Sequence, residues 1–228
     1  MVEIASGWFW MGWEDGHRGE RPRHRVWTDA FAIACHPVTN REYSRFLEAT
    51  GAPPPPWWTH PRFDHPEQPV VGVNWFDARS YCEWLCTQTG ERHRLPTEAE
   101  WERAARGGME GARFPWGAER PAPSSFDRPP LVTETPVNPS GLGALSGVCH
   151  EWCLDWDDEG YYAVSPDRNP RGPATGARRV SRGGAWRHRD PWSPVAHRSS
   201  LPPALRYSDY GFRVLTPLTL PGPVRASP

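Results

Sequence analysis

Arg179-Val-Ser-Arg-Gly-Gly-Ala-Trp186 and Tyr210-Gly-Phe-Arg-Val214 frame the stretch on which the reading of this chain turns. Gly183, Gly184 and Gly211 can take positive φ without steric cost, so both ends read as short strands running into turns. Between them, residues 187–210 carry repeated Pro with scattered Arg and His, and neither a helical nor an alternating period. A long irregular segment pinned between two strands is typically a binding or catalytic loop. Trp186, two residues past the glycine pair, and Phe212, beside Gly211, are its expected anchors. The segment from 187 to 207 is expected to lie on the surface and to tolerate polar substitution.

Working outward, 228 residues are enough for one large domain or two small ones, and no internal linker divides them. Fourteen Trp beside 28 Pro and 21 Gly describe a loop-rich globule with an aromatic core rather than a disordered chain. A formal net charge of −1 gives no argument for nucleic acid or an anionic membrane as partner. No apolar run is long enough to span a bilayer, and the N-terminus lacks the pattern of a signal peptide. With five cysteines, an odd number, the expectation is reduced thiols and a cytoplasmic location.

Three helices are expected. Each opens on a capping box, in which a small polar side chain accepts from an amide three residues on and an acid reaches back. The boxes are Thr39/Glu42, Asn74/Asp77 and Thr97/Glu100, and Gly51, Gly90 and Gly107 close the helices. Early acids and late arginines in the third helix suit its dipole. Residues 7–35 read as two or three strands around a polar loop, and 114–178 as loops with very short strands that need a staple.

Nine motifs stand in order along the chain: Phe9-Trp-Met-Gly, Arg21-Pro-Arg-His-Arg-Val, Pro37-Val-Thr-Asn-Arg-Glu-Tyr, Arg94-Leu-Pro-Thr-Glu-Ala-Glu-Trp-Glu, Phe114-Pro-Trp-Gly, Glu151-Trp-Cys-Leu-Asp-Trp, Asn169-Pro-Arg-Gly-Pro, Arg182-Gly-Gly-Ala-Trp and Gly211-Phe-Arg-Val. Together they resemble the formylglycine-generating enzyme, or sulfatase-modifying factor, family. The resemblance implies an α+β domain over residues 1–228 with a variant C-type-lectin-like fold, about three helices and short antiparallel strands. It covers copper oxidases that convert a substrate cysteine to formylglycine, iron-dependent sulfoxide synthases with an added helical bundle, and diversified ligand-binding proteins.

In the oxidases two cysteines shortly after Arg-Gly-Gly bind Cu(I), a soft-ligand site. Here the last cysteine is Cys153, so copper-oxidase chemistry of that kind is not expected. The resemblance also implies calcium, with Gly147, Cys149 and Glu151 as the matching ligands. Ala144 lacks a side-chain oxygen where the family has Asn or Asp, and Ser125 replaces an Asn of a second site. Cys149-His150-Glu-Trp-Cys153 could supply zinc ligands, but its spacing suits packed thiols and a hydrogen-bonded His better. His188 and His197, with Asp190, could serve as acid–base groups or ligands; simple solvation of an exposed loop is the other reading.

The leading expectation is a domain that binds a small molecule or peptide in a groove formed by residues 186–210. Trp186, Arg187, His188, Trp192, His197, Arg198, Arg206 and Tyr207 are its candidate lining, because Trp, Tyr and Arg dominate binding hot spots. A divergent oxidase acting on a thiol substrate and a diversified, retroelement-linked binding protein are the alternatives.

Overall fold

The computed structural model describes residues 1–119, 126–188 and 192–218. The three helices form where the capping boxes put them: α1 at Asn40–Thr50, α2 at Trp75–Thr89 and α3 at Glu98–Arg106. In each, both halves of the box are made, and a glycine in the left-handed region ends the helix. The strands are short: β1 Val2–Ile4, β2 Gly7–Met11, β3 His24–Thr28, β4 Phe31–Ile33, β5 His150–Trp156, β6 Arg179–Arg182, β7 Arg198–Leu201, β8 Tyr210–Gly211 and β9 Leu215–Pro217. They make a β2-β3 hairpin, a sheet ordered β1-β4-β9 and a four-stranded sheet ordered β7-β6-β5-β8. All pairings are antiparallel except β5 with β8.

At seven residues β5 is the longest strand among the described residues, and it lies inside the region expected to hold loops and very short strands. His-Glu-Trp-Cys-Leu-Asp-Trp has no alternation, because a central strand buried on both faces needs none. Strand β7 likewise falls within the segment expected to be irregular. Trp192, Val195, Ala196 and Leu201 of that segment are buried, so part of it is core rather than exposed loop. Trp192 packs edge-on against Trp116 and Phe126.

Two aromatic cores flank β5. Tyr43, Phe46, Trp75 and Tyr81 of α1 and α2 meet Trp152, Tyr210 and Phe212 on one side. On the other, Trp101, Ala104 and Ala105 of α3 meet Phe31, Ile33, Cys153, Val180 and Leu215. Phe212 is fully buried, as an anchor should be, and Trp186 is buried in a turn past β6, against Phe63, Val71 and Val148.

α3 contributes more than its caps. Its inner face presents Glu98 and Glu102, one turn apart, to Arg182, while Arg106 closes back on Glu102. Arg198 joins through Glu98, at 2.6 Å, and Asp157, at 3.3 Å. Burial alone would raise the Glu102 carboxyl; Arg106 and Arg182 beside it hold it below the usual carboxylate range instead. Arg182 also donates to the carbonyls of Val195, Ala196 and His197, so a buried charge at the start of the Gly-Gly turn holds the far side of the loop.

Candidate functional site

The loop is folded by its glycine pair. Gly183 and Gly184 have φ of +91° and +66°, which turns the chain back over the segment leading into β5. Gly147 donates to the Gly183 carbonyl and Trp186 to that of Val148. Across the turn, the Ser146 hydroxyl and the Ser193 backbone bond reciprocally, at 3.0 and 2.8 Å. The result points the segment after Trp186 at the start of β5, where the parallel β5–β8 pairing sets His150 opposite Tyr210.

Three side chains converge there. Nε2 of His150 lies 3.2 Å from Nε2 of His188. A carboxylate oxygen of Asp209 completes a group whose ligand-type atoms all lie within 4.8 Å of one another. His150 and Asp209 are buried and His188 is half-buried. The His150 ring stacks on Tyr210, with centroids 4.7 Å apart. Burial, followed by the charges of His188, His197 and Arg187, pushes the His150 imidazole well below its ordinary range, and burial also lowers His188. Burial raises Asp209, with Arg187 working against it. One Asp209 oxygen pairs with Arg187 Nε at 2.8 Å; among the described residues, Oδ1 is buried without a hydrogen-bond partner, and so is Nδ1 of His150.

The sequence candidates divide by position. Trp186, Arg187, His188 and Tyr207 surround this group: Trp186 donates to the Ser208 carbonyl, and the Arg187 guanidinium lies 5.7 Å from the Tyr207 ring centroid. Arg206 instead pairs with Asp77 at the N-terminus of α2, at 2.8 Å. Arg198 belongs to the buried ion network and Trp192 to the core. His197 faces Glu20, at 3.3 Å, in a separate cavity of about 340 Å³ that Trp13, His17 and Arg113 also line. Asp190 and Ser125 fall outside the described residues.

Asp209 escaped the sequence reading altogether, and His150 was weighed only with Cys149 and Cys153. Those thiols do not join it. Cys149 packs with Val71 and Trp186, Cys153 with Trp101 and Leu145, and burial pushes both thiols well above their ordinary range. The calcium candidates fare similarly. Both Glu151 oxygens accept from Arg213, and one also accepts from Trp101. With Ala144 offering no side-chain oxygen, Gly147, Cys149 and Glu151 fall short of the six to eight oxygens calcium takes.

The description "Sulfatase-modifying factor enzyme 1-like domain" belongs to the family model that matches residues 1–218. The chain is a member of this family. The formylglycine-generating enzyme of Streptomyces coelicolor is 34% identical over 93% of this chain and 88% of that protein. The serine/threonine-protein kinase pkn1 of Chlamydia caviae is 35% identical over 93% of this chain, which spans 37% of that longer relative. Among solved structures, Treponema denticola variable protein 1 superposes with a TM-score of 0.84 at 24% identity, covering 96% of this chain and 95% of that one. The fold of this sulfatase-modifying-factor-type domain is therefore the C-type-lectin-like one of the family, with three helices on short, mostly antiparallel strands. Among the described residues, no helix is long and apolar enough to cross a membrane.

Proposed function

We propose that this domain binds a small molecule or peptide at the mouth formed by Trp186, Arg187, His188 and Tyr207. The observation carrying this reading is the layering of the site. Buried polar atoms on His150 and Asp209, without hydrogen-bond partners among the described residues, lie beneath a half-exposed Arg187 and an exposed Tyr207. Unsatisfied buried groups are costly and favour whatever ligand satisfies them. Arg with Tyr offers fixed donors and a rigid amphipathic face. Copper-oxidase chemistry of the family's thiolate kind is not part of this proposal. No cysteine follows Cys153, and Cys149 and Cys153 sit in different core clusters with protonated thiols.

Thermal denaturation against a panel of amino acids, dicarboxylates and short cysteine-containing peptides tests the reading. A ligand at 100 times its Kd stabilises by about 2.7 kcal/mol. The variant Tyr207→Ala, which removes an exposed ring, should melt like the parent, yet lose that stabilisation. Equal stabilisation of parent and variant by every panel hit would place the binding surface elsewhere.

A further inference from the structure

We infer that His150, His188 and Asp209 form a mononuclear site for a divalent first-row transition ion of the zinc class. This deepens the ligand-site reading above and rests on it for location, not for its chemistry. The three residues come from the start of β5, the turn after Gly183-Gly184 and the residue before β8. They are brought to one point by the β5–β8 pairing and the glycine turn.

Two imidazoles sharing a tetrahedral ion at the usual metal–nitrogen distance place their nitrogens roughly 3.3 Å apart. The observed Nε2–Nε2 separation is 3.2 Å. A hydrogen bond between two neutral rings would give a similar distance, so spacing alone does not decide. Two further observations do. Asp209 Oδ1 is a buried acceptor with no donor among the described residues, which a cation would satisfy and a His–His hydrogen bond leaves orphaned. Its other oxygen is fixed by Arg187 Nε at 2.8 Å, the outer-shell orientation that ligating carboxylates generally have.

The donor set narrows the ion. Two imidazoles and one carboxylate suit a borderline transition ion; Cu(I) prefers thiolates, and calcium or magnesium prefers all-oxygen sites. Three protein ligands leave a fourth position, the arrangement of zinc sites that bind water or a substrate group. His188 is the least buried of the three, so that position would face the Arg187–Tyr207 mouth.

The test uses the full chain and the metal alone. Purified protein stripped with a chelator and dialysed against Zn²⁺ should retain one ion per chain by elemental analysis. Co²⁺ in its place should give visible ligand-field bands without thiolate-to-cobalt charge transfer. His188→Gln, which preserves side-chain bulk at a half-buried position, and Asp209→Asn should each weaken retention by more than the 10–100-fold that an outer-shell partner costs. His197→Ala should leave it unchanged. Retention that is equal in parent and His188→Gln, a charge-transfer band from sulfur, or no ion held by the parent each overturns the inference. The two readings fail separately. Metal uptake with no panel ligand sinks only the small-molecule reading, while panel binding by a parent that takes up no ion sinks only the metal site.

Discussion

The side chain of Ser193 fills the space that a Cβ on Gly184 would need: such an atom would lie 2.8 Å from the Ser193 Cβ and closer still to its hydroxyl. The loop after the glycine pair is therefore closed by the absence of a side chain at one position and its presence at another. Because Gly184 also has φ of +66°, two costs coincide there. Backbone strain is worth about 1–3 kcal/mol, and overpacking a similar amount.

Gly184→Ala should accordingly destabilise the domain by roughly 2–6 kcal/mol, summing those two effects. Adding Ser193→Gly should recover part of the loss by removing the clash while leaving the strain. Urea denaturation of the single and double variants measures both. Equal midpoints for the two variants would mean that steric conflict with Ser193 contributes nothing.

Arg182 offers a contrast between buried and exposed charge. Its guanidinium is fully buried, pairs with Glu98 and Glu102 and donates to three carbonyls of the loop. Removing one member of a buried pair leaves the other uncompensated, so Arg182→Ala should cost about 3–5 kcal/mol. Lysine cannot reproduce the forked donors and should rescue poorly. Arg128 pairs with Glu134 at 3.1 Å, but both side chains are about two-fifths exposed, and Arg128→Ala should cost under about 1 kcal/mol. Comparable denaturation midpoints for the two alanine variants would refute the ranking.

Asp155 sets an expectation for pH. Burial, with the nearby charge of Glu98, pushes its carboxyl up to about 8, although it accepts from the Glu98 amide at 2.8 Å. The unfolded chain releases this proton near pH 4 and the folded chain near 8. Between those values the folded state holds one proton more. Stability should therefore fall as pH rises through the window, by at most about 1.4 kcal/mol per unit from this group, and level off above 8. Asp155→Asn keeps an acceptor for the amide without the ionisation. Unfolding free energies at pH 5 and pH 8 should lie closer together in that variant, and an unaltered difference would assign the dependence to other groups.

The helices were legible in the sequence because their signals are local. Thr39/Glu42, Asn74/Asp77 and Thr97/Glu100, each followed by a terminal glycine, need only a few residues to be read. β5 was not legible, since a strand buried on both faces has no period. The acids and arginines of α3 read as dipole compensation, whereas Glu98, Glu102 and Arg106 are mainly partners of buried charge. The site was half legible. Trp186, Arg187, His188 and Tyr207 stand out by residue type on a suspect loop, but His150 and Asp209 join them only through a parallel pairing between segments about sixty residues apart, which no local pattern reports.

The β1-β4-β9 sheet gives the domain a direction of mechanical strength. β1 and β9 are each antiparallel to β4, so they run parallel to one another on its two sides. Tension applied ahead of Val2 and beyond Pro217 would draw β1 and β9 in opposite senses along β4. The interstrand hydrogen bonds lie across the strands, so such a pull loads them together in shear rather than peeling them one at a time. A domain tethered through these two ends should hold against force better than the same domain gripped across the β2–β3 hairpin, whose bonds would open in sequence. Single-molecule pulling along the two axes would reveal the difference as a higher rupture force for the end-to-end geometry, and equal forces would show that the resistance lies elsewhere in the fold.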